Sequence, residues 1–498
     1  MELQFKKSVC SCLDTALREV QNMEQTQEIK LPDGMPDIGR VLAAWGQTVL
    51  RSKEWRGDEV SLSGGMLVWV LYAPEDGTQP RCIDSWIPFQ MRWDLPDRTR
   101  EGRIRISCLP RFVDARSVSA RKIMVRAGAA AMAEAFSPME AEVYIPENVP
   151  EDVELLRSVY PVRLPREAGE KTFLMDEDLT VPGSIPQPEK LLYYTVRPQV
   201  TDQKVLANKI VFRGNANLHV LFVSEEGQLF SWDFELPFSQ FAELEGSFSG
   251  DAQVDMVLCP TSLELELDDE GHLRLKCGIV GQYLVDDPEL LELIEDAYSP
   301  GRDLKIHSET LELPAILENR RENIYGEQTI PAEANIAADV QFLPDFPRQR
   351  RTENGVAMEV PGTFRVLYYG EDGSLQSANA RWEGQQELRA DMDSQITAVP
   401  VPTAPQVAVG SGSMTAKGEV PLQLTATSSR GMPMVTGLEL GEQREPDIHR
   451  PSLILRRAGE ARLWDIAKAS GSTMEAIRKA NNLQDEPAPG QMLLIPVS

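Results

Sequence analysis

GMLVWVLYAPEDG, Gly65 to Gly77, sets the architecture because its pattern occurs three times along the chain. An apolar run rich in β-branched and aromatic residues ends in an acidic-Gly turn, and a second strand with a tryptophan follows, here Trp86-Ile-Pro-Phe89. The second copy is NLHVLFVSEEG, Asn217 to Gly227, followed by Trp232 and Leu236-Pro-Phe238. The third is TFRVLYYGEDG, Thr363 to Gly373, followed by Trp382. The turn glycines Gly77, Gly227 and Gly373 stand 150 and 146 residues apart. Asp-Gly and Glu-Gly put glycine where a tight hairpin turn needs positive φ, so each copy predicts a β-hairpin.

The surroundings repeat as well. A proline-containing segment lies upstream of each hairpin: Leu31 to Pro36, Val181 to Pro186, and Ile330-Pro331. Another strand precedes each copy and ends in Ser63-Gly64, Arg213-Gly214 or Pro361-Gly362. Downstream, Ser262–Leu267 and Leu273–Cys277 alternate apolar and polar residues around Gly271, which makes one face buried and the other wet. The expected fold is mainly β and multidomain. Three repeated β-sandwich-like or barrel-like domains would span 1–166 (with an N-terminal helix), 167–319 and 320–440, with a polar linker over 441–449. Short helices are predicted over Met1–Gln25, Pro36–Ala44 and Pro288–Ile294, the last because proline suits a first helical turn. The proline-broken run Val399–Pro402 predicts an exposed strand edge in the third repeat.

Residues 450–498 read differently, as a small α+β module of β-α-α-β order. Ser452–Leu455 is a short strand. Leu463, Ile466 and Ala467 share one helical face, and Ser470-Gly471 stops that helix. Ser472 to Glu475 has the spacing of a capping box for a second helix, which closes near Asn481-Asn482-Leu483. Pro489-Gly490 turns into the last strand, Met492–Ile495. Leu463-Trp-Asp-Ile-Ala-Lys468, Ala480-Asn-Asn-Leu483 and Pro489-Gly-Gln-Met-Leu-Leu-Ile-Pro496 resemble the LysM family. That resemblance implies binding of N-acetylglucosamine-containing glycans such as peptidoglycan, in a groove between two loops. The groove candidates are Gly459, Glu460, Ala461 and Arg462 on one side, and Asn482, Leu483, Gln484, Asp485 and Pro487 on the other. Where the family's first loop has a small hydroxyl residue, this chain has Gly459–Arg462, so the ligand is open between a glycan and a protein.

Three such β-repeats followed by one LysM module are similar to the SPOCS-domain proteins of endospore-forming Firmicutes. Ile29–Ile38, Val68–Tyr72 with Glu75–Gly77, and the terminal module carry the resemblance. It implies a spore coat morphogenetic role for a mother-cell protein at the forespore surface. Its implied partner is the ATPase that polymerises as the coat basement layer.

Composition limits the other classes. The formal charge of −27 repels phosphate backbones, and the basic runs Arg320-Arg321 and Arg348–Arg351 have glutamates close by, so no nucleic-acid partner is expected. No apolar segment follows Met1–Val9 as in a secretory signal, and no run is long enough for a membrane span, which predicts a cytoplasmic protein. The six cysteines form no CxxC pair and read as reduced core residues. His219, His272, His307 and His449 are widely separated, and no metal or cofactor is expected. The run Gly410–Gly418 departs from a P-loop and reads as a turn between strands, and acidic pairs such as Asp268-Asp269 and Asp286-Asp287 read as turn residues. Without a cluster of titratable groups, no catalytic residue is expected. A carbohydrate-stacking role for Trp86, Trp232 and Trp382 competes with a packing role beneath their hairpins.

Overall fold

The computed structural model describes residues 2–95, 101–352, 355–388, 394–444 and 451–497. Six antiparallel strands build the first repeat: β1 (Phe5–Lys30), β2 (Ile38–Arg56), β3 (Glu59–Pro74), β4 (Arg81–Asp94), β5 (Arg103–Ser119) and β6 (Lys122–Pro146). One sheet runs β2-β3-β4 and the other β1-β6-β5. Both are open sheets, and neither closes into a barrel. The second repeat copies this with β7 (Glu154–Leu179), β8 (Pro188–Leu206), β9 (Lys209–Ser224), β10 (Leu229–Glu243), β11 (Gln253–Leu267) and β12 (Leu273–Tyr298), in sheets β10-β9-β8 and β11-β12-β7.

In the third repeat two strands are broken at prolines. The counterpart of β2 is split into β14 (Ala334–Pro344) and β15 (Arg348–Thr352), which both pair with β16 (Gly355–Gly370), itself paired with β17 (Leu375–Leu388). The counterpart of β5 is split into β18 (Gln395–Pro400) and β19 (Gln406–Gly410). Both pair with β20 (Ser413–Gln443), which also pairs with β13 (Arg302–Pro331). β18 and β19 do lie at a sheet edge, as Val399–Pro402 suggested, but that edge is not exposed: Val399 and Pro400 are buried, Val399 against the core of the first repeat, and the loop after Gly410 is a turn with Gly412 at φ 72.

The ladders carry the repeat down to single residues. Bulges fall at Ile38/Arg40 and Val41/Ala43, at Pro188/Lys190 and Leu191/Tyr193, and at Ala334/Ile336 and Ala337/Asp339. Gly77, Gly227 and Gly373 all take the positive φ their turns require, at 72, 80 and 74°. The three tryptophans, by contrast, are not equivalent. Trp86 pairs with Leu67, Trp232 with Val220, and Trp382 with Gly362. These partners occupy different rungs relative to the turn.

The three expected helices are strands. Phe5–Gln25 lies in β1 and is laddered to β6 from end to end. Ile38–Ala44 starts β2, and Pro288–Ile294 lies in β12. Beyond Asp286 β12 has no β11 neighbour, so the missing N–H of Pro288 breaks no ladder on that side. Local helical spacing lost to long-range pairing, which satisfies the same backbone groups and buries one face. The positions 166/167 and 319/320 fall inside the unbroken strands β7 and β13. Residues 441–443, expected as linker, complete β20, and residues 445–450 lie outside the described residues.

The repeats close on one another around shared clusters. Leu71, Leu221 and Leu367 occupy equivalent rungs, opposite Ala43, Tyr193 and Asp339, and meet in one cluster. Two rungs on, Trp69, His219 and Arg365 face Trp45, Thr195 and Gln341. Trp45 stacks on Tyr193 at 4.2 Å, tying the first repeat to the second. The Tyr193 hydroxyl donates to Asp339 at 2.9 Å, and His219 Nε2 lies 2.9 Å from the same carboxylate, tying the second to the third. Arg365 donates to the Ala44 carbonyl and closes the ring. Further along, Arg105 is buried between Glu134 of its own repeat and Asp255 of the second, while Arg18 reaches Glu134 and Thr427 of the third. Two more apolar layers also draw on all three repeats, one of them containing Cys10, Cys12, Leu293 and Leu313.

The terminal module is β21 (Leu453–Arg457), α1 (Leu463–Ser470), α2 (Met474–Asn481) and β22 (Met492–Pro496), with β21 and β22 antiparallel. Its core is Leu463, Trp464, Ile466, Ala467, Ile477, Leu493 and Ile495.

Candidate functional site

The first turn of α1 needs acceptors for its free N–H groups. Arg462 stands at the N-cap with extended backbone and gives no side-chain cap. Its Nε donates to Asp465 at 3.3 Å instead, and its guanidinium lies 3.9 Å from Glu295. The acceptor comes from the opposite loop, where Glu486 takes the Leu463 N–H at 2.6 Å. A carboxylate at the positive end of a helix is favourable, and here it also laces the two groove loops together.

α2 is capped by Thr473, whose hydroxyl accepts from the Ala476 N–H at 3.1 Å. The cap is therefore one residue later than the box expected at Ser472; the Ser472 hydroxyl is buried without a hydrogen-bond partner. Gly471 and Asn482 close the two helices in left-handed conformation, φ 60 and 51°. Asn481 then joins α2 to β22: its amide donates to Leu494 O at 2.6 Å and accepts from Leu494 N at 2.8 Å.

Of the expected groove residues, Gly459, Glu460, Ala461 and Arg462 on one loop and Asn482, Gln484 and Asp485 on the other are exposed. Leu483 is half-buried against the module core and Pro487 is buried, so these two shape the loop from within. Glu486 sits among them and is missed by sequence reasoning. The signal that could find it is a helix start with no residue of its own able to cap it.

The module is seated on the second repeat. Trp464 Nε1 donates to Asp296 at 2.8 Å, and Lys468 Nζ reaches the same carboxylate at 2.6 Å. Burial would raise the Asp296 carboxyl, but the Lys468 and Trp464 donors outweigh it and hold the group below its ordinary value. Tyr298 packs edge-on against Trp464 at 4.7 Å and donates its hydroxyl to Ser472 O at 2.9 Å. Leu156 of β7 completes the contact. None of Asp296, Tyr298 or Leu156 carries a local sequence signal for this role, because the contact joins residues more than a hundred positions apart.

The remaining candidates have structural partners. His219 is buried between Asp339 and Asp233, at 2.9 and 3.1 Å. Burial alone would lower its pKa, yet the two carboxylates raise it to about 9, so the ring is a cation at neutral pH. His272 contacts Asp268 in a turn and His307 contacts Glu439 on the surface; His449 lies outside the described residues. Asp268 does sit in a turn, but Asp286, expected in one, is buried on β12 and paired with Arg163. Trp382 is buried against Gly326, Gly384 and Phe342, and Trp86 lies over Gly65 beneath the Arg51 guanidinium. Such rings serve packing. All six cysteines are free thiols, and burial pushes Cys12 and Cys259 up to about 11 and Cys277 to about 12. Among the described residues no group of three or more His, Cys, Asp or Glu could hold a metal ion, and no helix is long and apolar enough to cross a membrane.

Comparison with protein families gives two matches. Residues 187–266 match the SipL, SPOCS domain, and residues 462–496 match the LysM domain. The chain thus carries a SPOCS domain followed by a LysM domain, the combination its sequence resembles, and a binding protein is the class both matches support. The matched SPOCS strands, β8 to β11, have counterparts in the repeats before and after them. Comparisons with curated proteins and with solved structures find no match.

Proposed function

We propose that this protein is a non-catalytic scaffold of spore coat assembly, which links the coat basement layer to the forespore surface from the mother-cell cytoplasm. Its partner in this reading is the ATPase that polymerises as the basement layer. The observation that carries the proposal is the seating of the LysM module on Asp296 and Tyr298, beside loops already laced by Glu486. A module built to search for glycans on a free tether gains nothing from a buried anchor, whereas a module fixed to a rigid body presents its surfaces in one orientation to an ordered partner. The formal net charge of −27 suits a soluble assembly component. The test is retention of the purified basement-layer ATPase by the immobilised full-length chain. Release of ATPase at the level of a blank column would overturn the proposal.

The LysM match favours one second reading, binding of peptidoglycan through Gly459–Arg462 and Asn482–Pro487. It expects the full chain to sediment with purified peptidoglycan and to be released by N-acetylglucosamine oligomers. It also expects Gln484→Ala or Asp485→Ala to weaken sedimentation without unfolding the module.

A further inference from the structure

β21 is an open strand edge carrying an exposed apolar stripe. Its pairing with β22 fixes which backbone groups are free. Ala458 N donates to Gln491 O at 2.7 Å, and Val497 N donates to Ser452 O at 3.0 Å. In an antiparallel ladder these bonds recur at every second residue, so Ile454 and Arg456 also point toward β22. The N–H and C=O groups of Leu453, Leu455 and Arg457 therefore point away from it. Among the described residues no strand covers that side. The far edge of the same sheet is treated differently, since Asn481 occupies both backbone groups of Leu494 there. The far edge is thus closed at Leu494, whereas nothing among the described residues closes the β21 edge.

The side chains on the outer face of this sheet are apolar and exposed. Leu455 is 65% and Leu453 50% exposed, opposite Leu494 and Pro496, with Met492 beyond at 49%. Arg457 ends the stripe on the same face, and Arg456 lies on the other face of the strand, also exposed. No ion pair with a described residue engages either arginine. Bare apolar edges are hazards that folds ordinarily blunt, so an uncovered one beside two cations points to a partner.

We propose that the outer edge of β21 receives an extended segment of another protein as a third strand of the LysM sheet. The chemistry of that segment follows from the two faces. Residues on the outer face meet Leu453, Leu455 and Leu494 and are apolar; those on the opposite face meet Arg456 and are acidic; one more acidic residue meets Arg457. The segment is therefore a strand alternating apolar and acidic residues, held by main-chain hydrogen bonds at Leu453, Leu455 and Arg457. This surface is separate from the loops Gly459–Arg462 and Asn482–Pro487. The inference rests on the reading of the chain as a docking protein and assigns the surface that docks.

Substitution at Leu455 isolates the interaction. Its N–H points outward, so Leu455→Pro removes a donor to the incoming strand without breaking a bond to β22, a place where strands accept proline. Full-length chain is titrated with a fluorescent, end-capped peptide of about eight residues alternating valine and glutamate, a length typical of strands. Two controls are a peptide with lysine in place of glutamate and one of the same composition with all its valines preceding all its glutamates. Saturable binding of the alternating acidic peptide is expected, at least tenfold tighter than either control. Leu455→Pro and the double change Arg456→Glu, Arg457→Glu should each weaken it at least tenfold. Exchange of the Leu453 and Leu455 amides should slow with peptide bound, and exchange within α1 should be the same in wild type and Leu455→Pro, which shows the module folded. Absence of saturable binding, or binding that survives both variants, overturns the proposal. So does self-association of wild type that Leu455→Pro abolishes, because the occupant is then a second copy of this chain. If the chain retains the basement-layer ATPase while the peptide fails to bind, docking uses another surface and the functional proposal stands.

Discussion

Glu486 and Asp296 are single carboxylates that decide how the terminal module is held. Glu486→Ala removes the acceptor for Leu463 N–H and is expected to cost about 1 kcal/mol, the usual worth of a helix cap. Hydrogen exchange should speed at the start of α1 and stay unchanged in α2. Equal speeding of both helices would mean that Glu486 supports the module generally and is no cap. Asp296→Ala has a wider effect, because it strands the buried Trp464 N–H and frees Lys468. A loss of about 1–3 kcal/mol from the interface is expected, the cost of a buried donor left without a partner. Limited proteolysis should then release the module faster than from wild type, with the three repeats left intact. Cleavage at an unchanged rate would show that Tyr298 and Leu156 suffice. Local sequence names neither partner. An uncapped helix start signals only that some acceptor is needed, which Glu486 supplies across a loop, and Asp296 lies on β12 of the second repeat.

At the scale of elements, the hairpins were legible, whereas the three helices expected within the repeats are strands. Positive φ at Gly77, Gly227 and Gly373 follows from short-range sterics, so an acidic-Gly pair announces the turn wherever it stands. The β-α-α-β order of the terminal module was legible for the same reason, since stops at Gly471 and Asn482 are local. Phe5–Gln25 and Pro288–Ile294 failed because their periodicity is compatible with a helix until β6 and β7 supply a full ladder. The hairpin tryptophans form one motif in sequence but occupy different rungs, which only the register could reveal. Trp382 is the most deeply packed of the three, against two glycines that leave room for its ring. Trp382→Ala is expected to cost about 3–5 kcal/mol, in line with a buried aromatic replaced by alanine. The urea midpoint of the full chain reads this, and a loss under about 1 kcal/mol would argue that the ring is dispensable to packing.

The whole molecule is held by a ring in which each repeat grips the next with a different chemistry. The first offers Trp45 to Tyr193, the second offers Tyr193 and His219 to Asp339, and the third offers Arg365 to the Ala44 carbonyl. Because His219 is raised from an ordinary 6.5 to about 9, its cation stabilises the fold. That contribution is complete below about pH 6.5 and is lost as pH rises through about 9, a range worth about 3 kcal/mol. The melting temperature of the wild type is therefore expected to fall between pH 7 and pH 9.5 more than that of His219→Gln. Parallel curves would show that the imidazolium holds nothing. Three hairpin repeats and a LysM-like module are readable from the residues alone, since turns, caps and alternation depend on neighbours a few residues apart. The closing of the repeats on one another, the anchoring of the module at Asp296 and Tyr298 and the open edge of its sheet emerge from the folded chain. Those outcomes depend on which groups meet across more than a hundred residues, and equivalent rungs carrying Trp, His and Arg give no local sign of their partners.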